Sequence, residues 1–356
     1  MQIKIERNTA SKQKPDQNAL GFGQFFTDHM FIMDYEAGQG WHSPRIVPYA
    51  PFELDPAAMC LHYGQEVFEG MKAYPGADGS IRLFRPEENM ARLNRSNERM
   101  CIPPLDEAFA IHAIEELVKL DRDWIPTAEG TSLYIRPYVL AVDPFLGVRP
   151  ANQYIFAVIL SPVGAYYPEG VNPIKIFVEQ EYVRAVRGGT GFAKAGGNYA
   201  ATLKAQRLAQ AKGCAQVLWL DGLERKYIEE VGAMNVFFVI GDEVVTPALS
   251  GSILPGITRK SCIELLRARG HTVTERQLAI DEVLAAAASG QLKEAFGTGT
   301  AAVISPVGSL VIGDETVTIN NFEIGAISQS LYDELTGIQW GKTADPHGWS
   351  KVIKSC

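Results

Sequence analysis

The chain has 356 residues, room for about two domains at a working size of ~150 residues each. With 46% hydrophobic and 21% charged residues it is globular in composition and able to bury a substantial core. Acidic side chains outnumber basic ones, 41 to 33, for a net charge of -8, which argues against a general nucleic-acid binder.

The cysteines, Cys60, Cys101, Cys214, Cys262 and Cys356, are scattered. They show no C-x-x-C pair and no zinc spacing, so reduced thiols are expected and a metal site is not. Residues 1–20 are polar, carry Glu6 and Asp16, and lack an apolar signal region. No run approaches the ~20 apolar residues of a membrane span. A cytoplasmic protein without membrane contact is expected.

In chain order, residues 22–35 read as a strand and its approach, turned by Gly38-Gln39-Gly40. Residues 48–56, with three prolines, read as loop. Residues 60–74 are dense in aromatic and small residues and lead through a turn at 76–79 into a strand at 81–85. Pro86 followed by Glu87 and Glu88 opens a helix carrying Met90, Arg92 and Leu93. Ala108, Ile111, Ile114, Leu117 and Val118 recur at helical spacing within 105–120. Strands follow at 131–141, 153–160 and 174–179, with a Gly/Pro/Tyr-rich linker at 164–171 separating domains 1–163 and 172–356. Beyond it come a helix at 198–212 stopped by Gly213, strands at 216–220, 226–230, 235–240 and 243–246, and helices at 255–268 and 278–288. A strand enters Gly297-Thr298-Gly299-Thr300, another covers 303–307, and a last helix spans 325–336. The class is α+β, mixed α/β, in two domains.

At the centre stands Thr190-Gly191-Phe192-Ala193-Lys194-Ala195-Gly196-Gly197-Asn198-Tyr199. One lysine sits among small residues. A solvated lysine on a glycine-rich turn accounts for the pattern. So does a nucleophilic amine, since burial favours the neutral form and a neutral lysine forms a Schiff base with a carbonyl cofactor. Pro255-Gly256-Ile257-Thr258 opens a helix and Gly297-Thr298-Gly299-Thr300 forms a turn, and either could offer backbone N–H groups to a phosphate. Neither is a P-loop. Glu229 reads as an exposed turn residue, and Glu230 as a carboxylate able to hold a protonated pyridine nitrogen.

Lys194-Ala-Gly-Gly-Asn-Tyr199, Glu230-Val-Gly-Ala-Met-Asn235, Leu254-Pro-Gly-Ile-Thr-Arg259 and Gly299-Thr-Ala301 together resemble the class-IV, fold-type-IV pyridoxal-phosphate aminotransferases. Within these the chain is most similar to the branched-chain amino-acid aminotransferases. Phe26-Thr-Asp-His-Met30, His62-Tyr-Gly64, Val67-Phe-Glu-Gly70, Asn89-Met-Ala-Arg92 and Tyr134-Ile-Arg-Pro137 agree, so the resemblance runs from Phe22 to Trp349.

It implies a smaller N-terminal α/β domain, a larger C-terminal domain with a β-barrel-like core, and pyridoxal 5'-phosphate between the two. The cofactor would form a Schiff base on Lys194, which also shuttles the substrate proton. Tyr199 would meet the cofactor phenolate and Glu230 its pyridinium. Arg92, Ile257, Thr258 and Thr300 would bind the phosphate. Tyr63 and Phe68 would line the apolar side-chain pocket, Tyr134 with Thr300 and Ala301 would take the α-carboxylate, and Arg136 the distal carboxylate of glutamate.

The reaction implied exchanges an amino group between leucine, isoleucine or valine and 2-oxoglutarate by a ping-pong mechanism. It takes place in a homodimer with the active site near the subunit interface, where Tyr63 serves the neighbouring subunit's pocket. The pattern departs at Ala302-Val303-Ile304-Ser305, where some members carry a C-x-x-C redox pair, and at Ala233, where some carry a hydroxyl. Lys72 and Lys204 are read as solvated or structural. A D-amino-acid aminotransferase or a 4-amino-4-deoxychorismate lyase on the same scaffold is the alternative enzyme. A phosphate-binding module without catalysis is the alternative from another class.

Overall fold

The computed structural model describes residues 1–76, 78–164 and 171–353. The expected linker, apart from its end residues, lies outside them. The chain divides into two units: Met1–Pro168 with Ala193–Gly196 and Gly337–Cys356, and Glu169–Phe192 with Gly197–Thr336.

The first unit holds strands β1 (Lys4–Ile5), β2 (His29–Glu36), β3 (Gly40–Pro48), β4 (Glu66–Phe68), β5 (Met71–Pro75), β6 (Ile81–Phe84), β7 (Ser132–Ala141) and β8 (Gln153–Val163). With the C-terminal strand Ser350–Ile353 they form one sheet, ordered β1-β3-β2-β8-β7-β5-β6 and then that strand, while β4 pairs β7. Helices α1 (Met59–Tyr63), α2 (Pro86–Arg99) and α3 (Glu107–Leu120) complete it. Pro86 occupies the first turn of α2 with Glu87 and Glu88 beside it, and Asp106 caps α3 by accepting the Phe109 N–H at 3.0 Å. Both devices favour helix initiation at these points.

Strand alternation sorts β7 into two faces. Leu133, Ile135 and Val139 join Met90 and Leu93 of α2 and Ile114 and Leu117 of α3 in the core. Tyr134, Arg136 and Tyr138 therefore point to the opposite face. Lys72 pairs with Tyr134 and Phe68 with Tyr138, which brings both to that same face. Lys72, expected to be solvated or structural, is only 6% exposed, and desolvation lowers its amine to about 8. It is not solvated. Lys204 is exposed, as expected.

The second unit holds strands β9 (Ile174–Val178), β10 (Gln216–Leu220), β11 (Ile228–Val231), β12 (Asn235–Ile240), β13 (Glu243–Pro247), β14 (Thr272–Arg276), β15 (Leu292–Gly299), β16 (Val303–Ile312) and β17 (Glu315–Thr318). They run β11-β10-β9-β16-β15-β12-β13-β14, with β17 on β16. The ends of the sheet meet beyond β14. Ile228 donates to the Leu278 carbonyl and Ile280 to the Lys226 carbonyl, each at 2.9 Å. This gives the core its barrel-like closure. Phe237 and Phe296, directly opposite across β12 and β15, stack at 5.2 Å.

The helices of this unit are α4 (Gly197–Ala200), α5 (Leu203–Ala211), α6 (Ile257–Ala268), α7 (Ile280–Ala288) and, as far as Thr336, α8 (Ala326–Gln339). The single helix expected at 198–212 is two, because the Thr202 N–H and hydroxyl both return to the Tyr199 carbonyl, at 3.0 and 2.7 Å. A local side-chain bond of this kind competes with the helical ladder. Gly213 ends the second piece at φ +69°.

Candidate active site

In the first unit, Lys194 is half-buried and its backbone is held on both sides. Its N–H donates to Ser96 Oγ of α2 at 2.9 Å, and its carbonyl accepts the Phe68 N–H of β4 at 3.0 Å. Neighbouring Ala195 belongs to the core of the unit. The Lys194 amine lies over the Phe68 ring, 4.8 Å from its centroid, and the Arg136 guanidinium lies 4.6 Å from the same ring. One aromatic residue thus supports two cationic side chains.

Arg136 also donates to the Tyr134 hydroxyl at 3.0 Å. Its Nε is buried without a hydrogen-bond partner among the described residues, a donor left over for an anion. Gly70 makes the tyrosine position available, since a Cβ there would collide with the Tyr134 hydroxyl. Tyr63 is partly exposed, and its hydroxyl donates to the Leu146 carbonyl.

The α2 residues Asn89, Arg92 and Ser96 share one helix face at spacings of three and four. That face is buried. Arg92 Nε and Nη2 donate to the two oxygens of Glu69 at 2.7 and 2.9 Å, and Asn89 donates to Glu69 Oε2 at 2.7 Å. Glu69 is fully buried, and burial alone would raise its pKa. The charges of Arg92 and Lys194 and the hydrogen bonds of Arg92 and Asn89 outweigh that and hold it below the usual range.

In the second unit, Glu230 lies buried on β11. Its Oε1 accepts the Leu254 N–H at 2.8 Å, and its Oε2 faces Arg184 Nε at 3.2 Å. Glu229, expected in an exposed turn, is 5% exposed. Strand β11 is buried on both faces, so neither neighbour reaches solvent. Burial raises the Glu229 pKa against the opposing hydrogen bond from Ser252 and the charge of Arg184.

Leu254 leads into α6. That helix begins at Ile257 and Thr258 with no side-chain cap at Gly256, which leaves its first backbone N–H groups for another acceptor. Thr298 Oγ1 on β15 is buried without a hydrogen-bond partner among the described residues. Thr300 and Ala301 form the turn from β15 to β16, and it ends on Val303 at φ +61°. A β-branched residue in that conformation costs roughly 1–3 kcal/mol. Tyr199 is half-buried in α4.

The structure therefore brings Lys194, Phe68, Tyr134, Arg136 and Arg92 into one unit. It gathers Tyr199, Glu230, Ile257, Thr258, Thr300 and Ala301 in the other. Sequence reasoning missed Glu66, Glu69, Asn89 and Ser96, and also Arg184. Glu69 and Asn89 stood within the motifs Val67-Phe-Glu-Gly70 and Asn89-Met-Ala-Arg92 without a role of their own, and the polar stripe 89/92/96 looks like a solvated helix face unless something is known to cover it.

Residues 66–310 match the family described as Amino-transferase class IV, more than half of the chain. A Bacillus subtilis (strain 168) protein named branched-chain-amino-acid aminotransferase 2 is 60% identical over 351 residues, covering 99% of this chain and 97% of that one. Among solved structures, the Escherichia coli branched-chain amino acid aminotransferase superposes with a TM-score of 0.77. It is 27% identical and covers 92% of this chain and 99% of its own. The T.th. branched-chain amino acid aminotransferase complexed with N-(5'-phosphopyridoxyl)-L-glutamate gives 0.75 at 27% identity, covering 90% and 98%. The fold is that of an aminotransferase. The chain belongs to the class IV aminotransferase family.

Proposed function

We propose that this chain transfers the amino group between branched-chain L-amino acids and 2-oxoglutarate, using pyridoxal 5'-phosphate held covalently by Lys194. The relatives named above support the reaction, and one solved relative is complexed with a phosphopyridoxyl adduct of glutamate. The observation that carries the reading is the Lys194 peptide, fixed at both its N–H and its carbonyl with the amine against Phe68.

The residues present fit the cofactor. Arg92 together with the uncapped start of α6 at Ile257 and Thr258, and Thr300, would bind its phosphate. Tyr199 would meet its phenolate. Glu230 would face its ring nitrogen, the Leu254 N–H and Arg184 complementing the anionic carboxylate. When bound, the cofactor supplies an aldehyde that reacts with amines and a ring that accepts the electron pair released at the substrate Cα.

Lys194 Nζ would carry the proton from the substrate Cα to the cofactor's aldehyde carbon, C4′, and back the other way in the second half-reaction, as a positioned amine can at modest cost once its backbone is fixed. Tyr134, with Thr300 and Ala301, orients the α-carboxylate. Phe68 and Tyr63 shape the apolar wall, with Tyr63 serving a second copy of the chain in a homodimer. Arg136 meets the distal carboxylate of glutamate through its spare Nε. One substrate leaves before the other enters, so the kinetics are ping-pong. We place the enzyme in the cytoplasm. No helix among the described residues is long and apolar enough to cross a membrane.

The test is a screen of amino donors against 2-oxoglutarate, with borohydride reduction to trap the cofactor on Lys194. Leucine, isoleucine and valine turnover is expected. Release of pyruvate from 4-amino-4-deoxychorismate with leucine untouched, or a protein with no reducible cofactor on Lys194, would overturn the reading.

A further inference from the structure

Glu66 lies two residues before Phe68 on β4, and so on the same face of the sheet. Its carboxylate accepts the backbone N–H of Gly196, in the Lys194 segment, and it interacts electrostatically with Arg136. The two approach closely: a Cβ at Gly196 would displace Glu66 Oε1. The ionisable groups facing Glu66 are Arg136 from β7 and Cys60 from α1.

We propose that Glu66 is a positioning residue that sets the balance between apolar and anionic side chains in the substrate pocket, by opposing the charge of Arg136 while clasping the Lys194 segment. The inference rests on the assignment of Arg136 to the distal carboxylate. One pocket has to take leucine and glutamate in turn. With a leucine side chain beside it, a lone guanidinium would be desolvated and uncompensated, which is costly. Glu66 supplies the counter-charge in that state.

With a dicarboxylate bound, the substrate itself pairs with Arg136, and Glu66 becomes a like charge close by. Relief comes from taking a proton from solvent, and burial already pushes the Glu66 carboxyl up. Dicarboxylate binding is therefore linked to proton uptake at Glu66, while binding of a neutral branched side chain is not. Affinity for dicarboxylates weakens as pH rises through the Glu66 titration.

The test uses the full-length holoenzyme and two inert ligands, glutarate and 4-methylpentanoate, titrated by the cofactor absorbance from the usual carboxylate range up to alkaline pH, wherever the holoenzyme stays folded. Glu66→Gln keeps an acceptor for the Gly196 N–H and removes the charge. It should tighten glutarate roughly fivefold or more at the alkaline end and flatten its pH dependence, with 4-methylpentanoate unmoved. Steady-state KM values for 2-oxoglutarate and 4-methyl-2-oxopentanoate should split the same way.

Glu66→Ala, which also loses the clasp, should show the same ligand split together with faster hydrogen exchange at 194–196. That exchange change should be absent in Glu66→Gln. A wild-type protein that binds both ligands, with a Glu66→Gln ratio and pH profile unchanged, overturns this inference alone. A wild-type protein that binds 4-methylpentanoate but not glutarate overturns the assignment of Arg136, and one that binds neither overturns the proposed function, each taking this inference with it.

Discussion

Two buried arginine–glutamate pairs, one in each unit, look alike and are not. Arg92 and Glu69 meet through two donors at 2.7 and 2.9 Å, with Asn89 adding a third bond to the carboxylate. Arg184 Nε faces Glu230 Oε2 at 3.2 Å, and its charge also acts on Glu229. In the first cluster two cationic side chains, Arg92 and Lys194, act on one carboxylate, whose pKa is lowered. In the second, one arginine serves two carboxylates, and that of Glu229 is raised. An excess of positive charge suits a phosphate and an excess of negative charge suits a protonated ring nitrogen. Opposite imbalances are thus built from the same two residue types.

The largest effect bears on the first cluster. Lys194→Ala is expected to lower leucine–2-oxoglutarate turnover by roughly four orders of magnitude or more. Circular dichroism should stay unchanged, because it is the flanking Ala195 that packs in the core. Near-normal turnover would remove the lysine from the mechanism.

Next comes Glu69→Gln, which strands Arg92 in a dry site. A loss of about 3–5 kcal/mol in denaturant unfolding is expected, with weakened cofactor retention. Arg184→Met should cost less, about 2–3 kcal/mol, because a carboxylate already disposed to protonate can absorb part of the missing charge. Equal losses at the two sites would erase the distinction drawn between them.

The smallest effect is one of sign. Glu69, with its pKa depressed in the folded state, contributes stability above the usual carboxylate range that is lost as pH falls through its folded value. Glu229, with its pKa raised, contributes stability at acid pH that is lost as pH rises through its folded value. Glu229→Gln should therefore be more stable than the parent at neutral pH, with the gap closing towards acid. Thermal unfolding across pH would show the reverse order if Glu229 were ionised and well paired.

Much of the fold could be read from local pattern. Strands β10 and β12 fall at the expected residues, 216–220 and 235–240, because both are apolar runs between turn residues. Strands β3, β14 and β17 were not foreseen. β14 ends its sheet and β17 pairs only β16. Main-chain hydrogen bonding holds such edges, so Thr272–Arg276 and Glu315–Thr318 need no apolar alternation. β3 carries Pro44 and a left-handed Ser43, which hide its period.

The sequence by itself determined which residues to suspect. A lysine among small residues, a carboxylate ahead of an apolar strand, a glycine opening a helix and an arginine two places from a tyrosine are all local signals. Their chemistry depends on residue type. Only the tertiary structure decided what each side chain works against. It put Lys72 out of solvent opposite Tyr134, showed Glu229 to be buried, laid Lys194 and Arg136 over one phenylalanine, and gave Arg92 to Glu69. Burial and charge pairing are properties of neighbours distant in sequence, and local pattern carries no record of which neighbours those are.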